Sequence, residues 1–319
     1  IMHITHPHHL NIEKLPSTVL ALGFFDGVHL GHQEVIQKAK RKADQLGCIS
    51  AVMTFDPHPS VILGRNKQHV EYITPSQEKQ EKIRELGIDM LYIIKFDHDF
   101  ANLLPQQFVD QYIISLNVKH VVAGFDYTYG RLGKGTMETL PFHSREKFTQ
   151  TIIKKKSIDH QKISSTAIRE VLKQGDVDIL PKFLGRYYTL NGTVVNGDKR
   201  GRTIGFPTAN IQLSDSFIVP PVGVYAVRIK INSVWYDAVC NIGYRPTFYN
   251  KVGQPTIEVH IFDFKQDIYG NKVMIEWRKR LRKEHKFENV SDLIAQIEVD
   301  KVQAQQYFEK SIQQTCFFS

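Results

Sequence analysis

Two folds in series are expected from this 319-residue chain: a doubly wound parallel α/β sheet, followed by an antiparallel β-barrel with a C-terminal helix. Three observations carry that expectation. Strand and helix periods alternate as far as Gly185; short strands punctuated by Gly and Pro replace them afterwards; and glycine-rich loops follow two of the early strands, where open α/β sheets bind ligands. The implied division is residues 1–185 and 186–319.

In the first half, apolar Val19–Phe24 reads as a strand running into a glycine-rich turn. His32–Leu46 has helical periodicity and ends at Gly47, a residue suited to the left-handed closing position. Ile49–Phe55 is a second strand, stopped by Pro57-His58-Pro59. Thr74-Pro75-Ser76-Gln77 resembles an N-cap with proline in the first turn, opening a helix to Leu86 that Gly87 closes. Met90–Phe96 is a strand, Pro105–Leu116 a helix, and His120–Ala123 a buried strand leading into the Gly124–Gly135 loop. After a helix over Asp176–Leu184, five strands follow: Tyr188–Val195, Val222–Ile231, Val234–Ile242, Thr256–Phe262 and Lys272–Leu281. The final helix, Ser291–Phe308, offers Leu293, Ile294, Ile297 and Val302 as a packing stripe.

Composition narrows the function classes. The chain is 42% hydrophobic and 23% charged, enough to build cores and too apolar for general disorder. No run approaches the ~18 apolar residues of a membrane span, and no apolar segment follows the histidine-rich start, so a cytoplasmic location is expected. That start, with His3, His6, His8 and His9, reads as a solvated edge, with adventitious metal binding the alternative. Three cysteines, Cys48, Cys240 and Cys316, far apart and without a Cys-x-x-Cys pair, imply reduced thiols rather than disulfides or structural zinc. The net charge is +8, divided +3 (23 basic, 20 acidic) before Gly185 and +5 (18 basic, 13 acidic) after it. Charge spread over both halves favours small phosphorylated ligands over a polynucleotide. A non-enzymatic RNA binder is the rival, distinguished by a salt-dependent RNA affinity that a mononucleotide leaves intact.

The first chemical constellation is Gly23-Phe24-Phe25-Asp26-Gly27-Val28-His29-Leu30-Gly31-His32. Two histidines share one face of an opening helical turn, glycines let backbone approach an anion, and the helix N-terminus adds partial positive charge. Such a site suits a triphosphate. A plain tight turn with surface histidines, or a metal pair completed by Asp56-Pro57-His58-Pro59, are the other readings. Further along, Ile163-Ser164-Ser165-Thr166-Ala167-Ile168-Arg169 places hydroxyls at a helix start with an arginine one turn in, able to hold phosphates or simply to cap the helix. Gly130-Arg131-Leu132-Gly133-Lys134-Gly135-Thr136 lacks P-loop spacing.

Gly23–His32 resembles the HxGH signature of the nucleotidyltransferase superfamily, and its flanks are similar to the bacterial bifunctional riboflavin kinase/FMN adenylyltransferase (FAD synthetase) family. The resemblance continues through Gly124-Phe125-Asp126-Tyr127-Thr128-Tyr129-Gly130, Ile163–Arg169, Gly201–Asn210, Asn241–Phe248 and Thr256–Phe264. It implies a Rossmann-like nucleotidyltransferase domain and a riboflavin kinase barrel. It further implies ATP-dependent phosphorylation of riboflavin to FMN and adenylylation of FMN to FAD, with Mg²⁺ accompanying ATP. ATP, riboflavin, FMN and FAD are then the partners, with no membrane or nucleic acid. Carried over by motif, Gly23, Phe24, Asp26, His29, His32, Ser165, Thr166 and Arg169 bind ATP in the first domain, with His29, His32 and Arg169 catalytic. Asp126 and Tyr127 face flavin there. Tyr127 and Tyr129 stand where the family often has phenylalanine, and Ala167 replaces a frequent aromatic residue.

In the second domain, Gly201-Arg202-Thr203-Ile204-Gly205-Phe206-Pro207-Thr208-Ala209-Asn210 joins a glycine-bounded loop to two hard oxygen donors. It resembles the PTAN motif of riboflavin kinases, which assigns Gly201, Gly205 and Thr208 to ATP, Asn210 to flavin, and Thr208 with Asn210 to Mg²⁺. Glu258 shares a strand face with Thr256 and His260. A carboxylate facing into a barrel needs a partner or a task, and an outward-facing surface glutamate is the other reading. The resemblance makes Glu258 the base that takes the proton of the riboflavin 5′-hydroxyl, in contact with flavin.

Overall fold

A computed structural model describes residues 1–10, 13, 15–64, 70–158, 161–197, 205–244 and 255–316, with side chains as far as residue 311. The chain divides into two compact units, Ile1–Ser165 and Thr166–Ser319.

Six parallel strands form the sheet of the first unit: β1 (Met2–Ile4), β2 (Thr18–Leu22), β3 (Ile49–Asp56), β4 (Met90–Lys95), β5 (Val118–Gly124) and β6 (Thr149–Ile153). Their order is β1-β4-β3-β2-β5-β6. Alternate side chains feed two cores. Val19, Ala21, Val52, Leu91, Ile93 and Val122 pack on one face with Val35, Ile36, Ala39 and Ala43 of α1 (Leu30–Leu46) and Ile83 of α2 (Ser76–Glu85). Leu20, Leu22, Met53, Phe55, Tyr92 and Val121 pack on the other, with Phe108 and Val109 of α3 (Pro105–Val109) and Tyr112 and Ile113 beyond it. Helices on both faces are what fully buried parallel strands require. The order reverses at β2, which has β3 on one side and β5 on the other, so the loops leaving β2 and β5 open onto the same switch-point crevice.

The second unit is a closed antiparallel barrel of β7 (Tyr188–Val195), β8 (Ala209–Leu213), β9 (Gly223–Ile231), β10 (Val234–Tyr244), β11 (Pro255–Ile261) and β12 (Lys272–Arg282). Its order is β7-β8-β11-β10-β9-β12. Trp277, fully buried, meets Tyr225 edge to face at 5.1 Å. The helix α4 (Ser165–Gln174) straddles the division of the two units, and α5 (Val290–Cys316) packs on the barrel. Among the described residues no helix is long and apolar enough to cross a membrane.

Several expectations move. The α2 N-cap is Pro75 rather than Thr74, whose amide is taken by Asp26 instead. The helix from Pro105 turns π-helical over Asp110–Ile114. Strands β1, β6 and β8 add to those expected. On α5 the packing residues are Ala304 and Phe308, against Val224, Ala226, Val239 and Phe262; Val302 is exposed. Asp300 is buried because Arg282 grips both its oxygens, Nε to Oδ1 at 2.9 Å and Nη2 to Oδ2 at 2.8 Å.

His120 fastens β5 to the edge strand β6: Nδ1 lies 2.6 Å from Thr149 Oγ1 and Nε2 2.8 Å from Thr151 Oγ1. Burial, aided by Lys42 and Lys38, lowers its pKa from 6.5 to about 4. The unfolded chain therefore takes up this proton first as pH falls, so the contribution is complete above pH 6.5 and is lost towards about pH 4. Denaturant unfolding of the parent should lose about 3 kcal/mol more over that window than His120→Gln does, at about 1.4 kcal/mol per unit.

Candidate active sites

The loop between β2 and α1 is built from strained backbone. Phe25 and Val28 adopt left-handed φ values of 55° and 40°, and Gly27 one of 87°. Gly23 has to be glycine for a different reason, since a Cβ there would lie 2.8 Å from the Phe25 ring. The loop is held from its middle. Asp26, buried, accepts Thr74 N–H at 3.0 Å and Ile73 N–H at 3.4 Å on its carboxylate, and its carbonyl accepts the Ser165 hydroxyl at 2.9 Å.

His29 caps α1, its Nδ1 accepting the His32 amide at 3.2 Å. In the neutral ring that leaves the proton on Nε2, as a donor. The His32 ring stacks on it at 3.5 Å, and burial, then His29 and Lys79, push the His32 pKa well below 6.5. His32 is therefore neutral at pH 7, and its Nδ1 is buried with no hydrogen-bond partner among the described residues. A helix N-terminus fronted by neutral imidazole fits an anion with acceptor oxygens. His58, the other histidine considered, turns Nδ1 to Ser60 Oγ at 2.7 Å and packs its ring against Phe24 at 5.2 Å.

Beside this loop lies a cavity of about 340 Å³ lined by Phe24, Phe55, Phe96, Phe100, Phe108, Tyr127 and Tyr129. Phe24 belongs to both places: it lines the cavity, where its ring lies 5.0 Å from that of Phe55, and it is part of the loop. Burial raises the pKa of the Tyr127 phenol, which stays neutral. Tyr129 is more deeply seated, its hydroxyl 2.7 Å from His143 Nδ1. Asp126 is exposed, outside the cavity lining, and ion-paired with Lys162 at 2.9 Å. Ser165 opens α4, along which Thr166 is exposed and Arg169 half-buried.

Sequence reasoning missed Lys79, which is 6% exposed and donates to the Phe24 carbonyl at 3.3 Å. Its segment, Ser76-Gln77-Glu78-Lys79-Gln80-Glu81-Lys82, reads as a solvated helix face. It also missed Phe55, Phe96, Phe100 and Phe108, because they come from segments far apart in sequence.

On the barrel, Ile257, Val259 and Ile261 are buried, whereas Thr256, Glu258 and His260 lie on the alternate, half-buried face. Glu258 is thus not inside the barrel: a closed interior filled by apolar side chains has no room for a carboxylate. It stands in a row across three strands, with Asn210 of β8 opposite on one side and Asn241 of β10 on the other. A Cβ on Gly197 would fall 2.1 Å from the Asn210 side-chain nitrogen, so the chain passes close over that amide and a side chain at 197 would displace it. Thr208 lines a small cavity of about 90 Å³ with Pro207, Asp267 and Tyr269 among its neighbours. Gly205 is exposed at φ 88°. Gly201 and residues 245–248 lie outside the described residues. The thiol of Cys240, buried and near Glu258, is pushed up by desolvation and then by that carboxylate.

Gly23→Ala should destabilise the first unit by about 1–3 kcal/mol, the usual cost of forcing a methyl into packed structure. Denaturant unfolding beside the parent checks this, and an unchanged midpoint would show that the Phe25 ring moves freely.

Comparison with known proteins agrees with this two-part geometry. A family model described as FAD synthetase matches residues 11–167, and one described as riboflavin kinase matches residues 184–308. The bifunctional riboflavin kinase/FMN adenylyltransferase of Bacillus subtilis (strain 168) is 54% identical over 96% of this chain and 98% of its own. That of Listeria monocytogenes is 47% identical over 92% and 93%. A crystal structure named as a macrolide-efflux protein from Streptococcus pneumoniae has a TM-score of 0.85 at 36% identity, covering 96% of this chain and 99% of that one. With both family models matched in order and relatives similar over nearly the whole length, the chain belongs to the bifunctional riboflavin kinase/FMN adenylyltransferase family.

Proposed function

We infer that the chain makes flavin cofactors in two steps, phosphorylating riboflavin to FMN on the barrel and adenylylating FMN to FAD in the first unit. The observation that carries the residue assignment is the position of Phe24. It places an aromatic cavity of about 340 Å³, suited to a flat tricyclic ring, directly against a glycine-histidine loop suited to a triphosphate. We assign catalysis at that loop to residues 1–185 and at the barrel to residues 186–319.

In the kinase step an alcohol has to become a nucleophile. The riboflavin 5′-oxygen forms a bond to the γ-phosphorus of ATP as the bond to the β-bridging oxygen breaks and ADP departs. Glu258 takes the hydroxyl proton, and the amides of Asn210 and Asn241 on either side hold its carboxylate and the flavin edge. The Thr208 hydroxyl and the Asn210 side-chain oxygen are hard donors of the kind Mg²⁺ accepts, and the glycine at 197 leaves the Asn210 amide its place. Bound there, Mg²⁺ would neutralise charge on the phosphates. Gly201 and Gly205 supply backbone to ATP.

In the adenylyl step no base is needed, because the FMN phosphate is already an anion. One of its oxygens bonds to the α-phosphorus of ATP, the bond from that phosphorus to the β-bridging oxygen breaks, and pyrophosphate leaves with the electron pair. The enzyme supplies orientation and charge stabilisation. His29, through Nε2–H, and His32 donate to phosphate oxygens, with Ser165, Thr166 and Arg169 as further donors to the departing pyrophosphate. Tyr127 packs on the flavin with the cavity phenylalanines, Asp126 sits at the rim, and Gly23, Phe24 and Asp26 shape the loop. ATP, riboflavin, FMN and FAD are the ligands of this reading, and a cytoplasmic enzyme is its natural setting.

Chromatography of the protein incubated with riboflavin, ATP and Mg²⁺ should show FMN first and FAD after it. Glu258→Gln should slow FMN formation by at least about 100-fold, the scale of lost base catalysis, while conversion of supplied FMN to FAD stays within about twofold of the parent. Equal loss of both activities would contradict the assignment of separate sites.

A further inference from the structure

The role of Lys79 rests on the adenylyl-transfer reading, which leaves a charge problem unsolved. The triphosphate and the FMN phosphate bring several negative charges to a loop whose His32 is neutral and whose Asp26 carboxylate already faces two backbone amides. Among the described residues of the first unit, Lys79 is the only buried lysine or arginine. Burial lowers its pKa, while Asp26 and Asp56 act in the opposite direction and favour the ammonium form.

An ammonium carries three donors. Among the described residues one hydrogen bond engages it: a long 3.3 Å bond to the Phe24 carbonyl, which already accepts the Thr54 hydroxyl at 2.9 Å. The carboxylate of Asp26 accepts the amides of Ile73 and Thr74, and its effect on Lys79 is electrostatic. Burying a cation with so little hydrogen bonding is costly unless something else supplies acceptors. Two under-satisfied groups, the Lys79 ammonium from α2 and His32 Nδ1 from the first turn of α1, thus flank the loop between β2 and α1, and that loop joins a helix N-terminus to the wall of the aromatic cavity.

We propose that Lys79 is a catalytic cation of the adenylyl-transfer site, donating to triphosphate oxygens and stabilising the charge that builds on the α-phosphate as the FMN oxygen bonds to it and pyrophosphate departs. The ammonium stays protonated throughout. Anchored to the Phe24 carbonyl, it stands where the flavin cavity meets the phosphate loop.

The test uses the full chain with Lys79→Gln and Lys79→Arg. Glutamine retains an N–H for the Phe24 carbonyl but not the charge; arginine retains the charge. Lys79→Gln should lower kcat for FAD formation from FMN and ATP by about 100-fold or more, the scale seen when a preorganised charge-stabilising donor is lost. Its KM for FMN should stay within about threefold, and Lys79→Arg should recover at least about tenfold over Lys79→Gln. Lys79→Gln within about threefold of the parent overturns the proposal. So does loss of activity and FMN affinity in both variants together, or early melting of both, because Lys79 would then be a strut of the fold. His29→Asn run alongside separates the two levels of inference. If it leaves FAD formation intact, the placement of the site has failed; if it abolishes FAD formation while Lys79→Gln does not, only the role of Lys79 has failed.

Discussion

The loop between β2 and α1 depends on one buried carboxylate. Asp26 sits in the middle of a turn that contains two non-glycine residues at positive φ, a conformation costing on the order of 1–3 kcal/mol per residue unless the surroundings enforce it. Its carboxylate gathers the amides that precede α2, and its carbonyl gathers the hydroxyl that opens α4. Three segments distant in sequence are thereby fixed around one residue. His29 can then cap α1 with Nδ1 and keep Nε2–H as a donor, and Phe24 can put its ring into the aromatic cavity while its carbonyl meets Lys79.

The barrel solves a different problem with strand register. Antiparallel pairing sets Asn210, Glu258 and Asn241 side by side on three adjacent strands, while their neighbours along each strand fill the interior. A carboxylate so placed is half-buried, next to low dielectric yet not sealed in an apolar core. The two chemistries match these environments. Alcohol phosphorylation asks for a proton acceptor, the role proposed for Glu258. Phosphate attack on phosphate asks for donors and positive charge, the roles proposed for the loop histidines, the helix N-terminus and Lys79.

Much of this was legible in the sequence because it is written locally. The alternation of strand and helix periods, the glycine spacing of Gly23–His32, Gly47 as the end of α1 and the alternation around Glu258 are all signals within about ten residues. What was missed is non-local or lacks contrast. Strand β1 is three residues long; β6 shows no buried residue; and β8 buries only Ile211. Phe55, Phe96, Phe100 and Phe108 read singly as core and become a cavity wall only when the sheet and its connections assemble. Lys79 is masked by the polar residues around it, and Gly197 by the ordinary look of a turn. The inward reading of Glu258 failed because period two identifies its face without saying which face is inside.

If Asp26 is the residue that holds the nucleotide loop, removing its charge while keeping its size should damage one activity alone. Asp26→Asn gives up two charge-assisted bonds and turns an amide N–H₂ towards backbone donors, a loss on the order of 1–3 kcal/mol at a buried site. Steady-state rates of the two reactions, measured separately from riboflavin and from FMN, are the direct test. FAD formation should fall at least about tenfold, the equivalent of about 1.4 kcal/mol, with FMN formation within about twofold of the parent. Undiminished FAD formation, or equal decline of both rates, would contradict this role for Asp26.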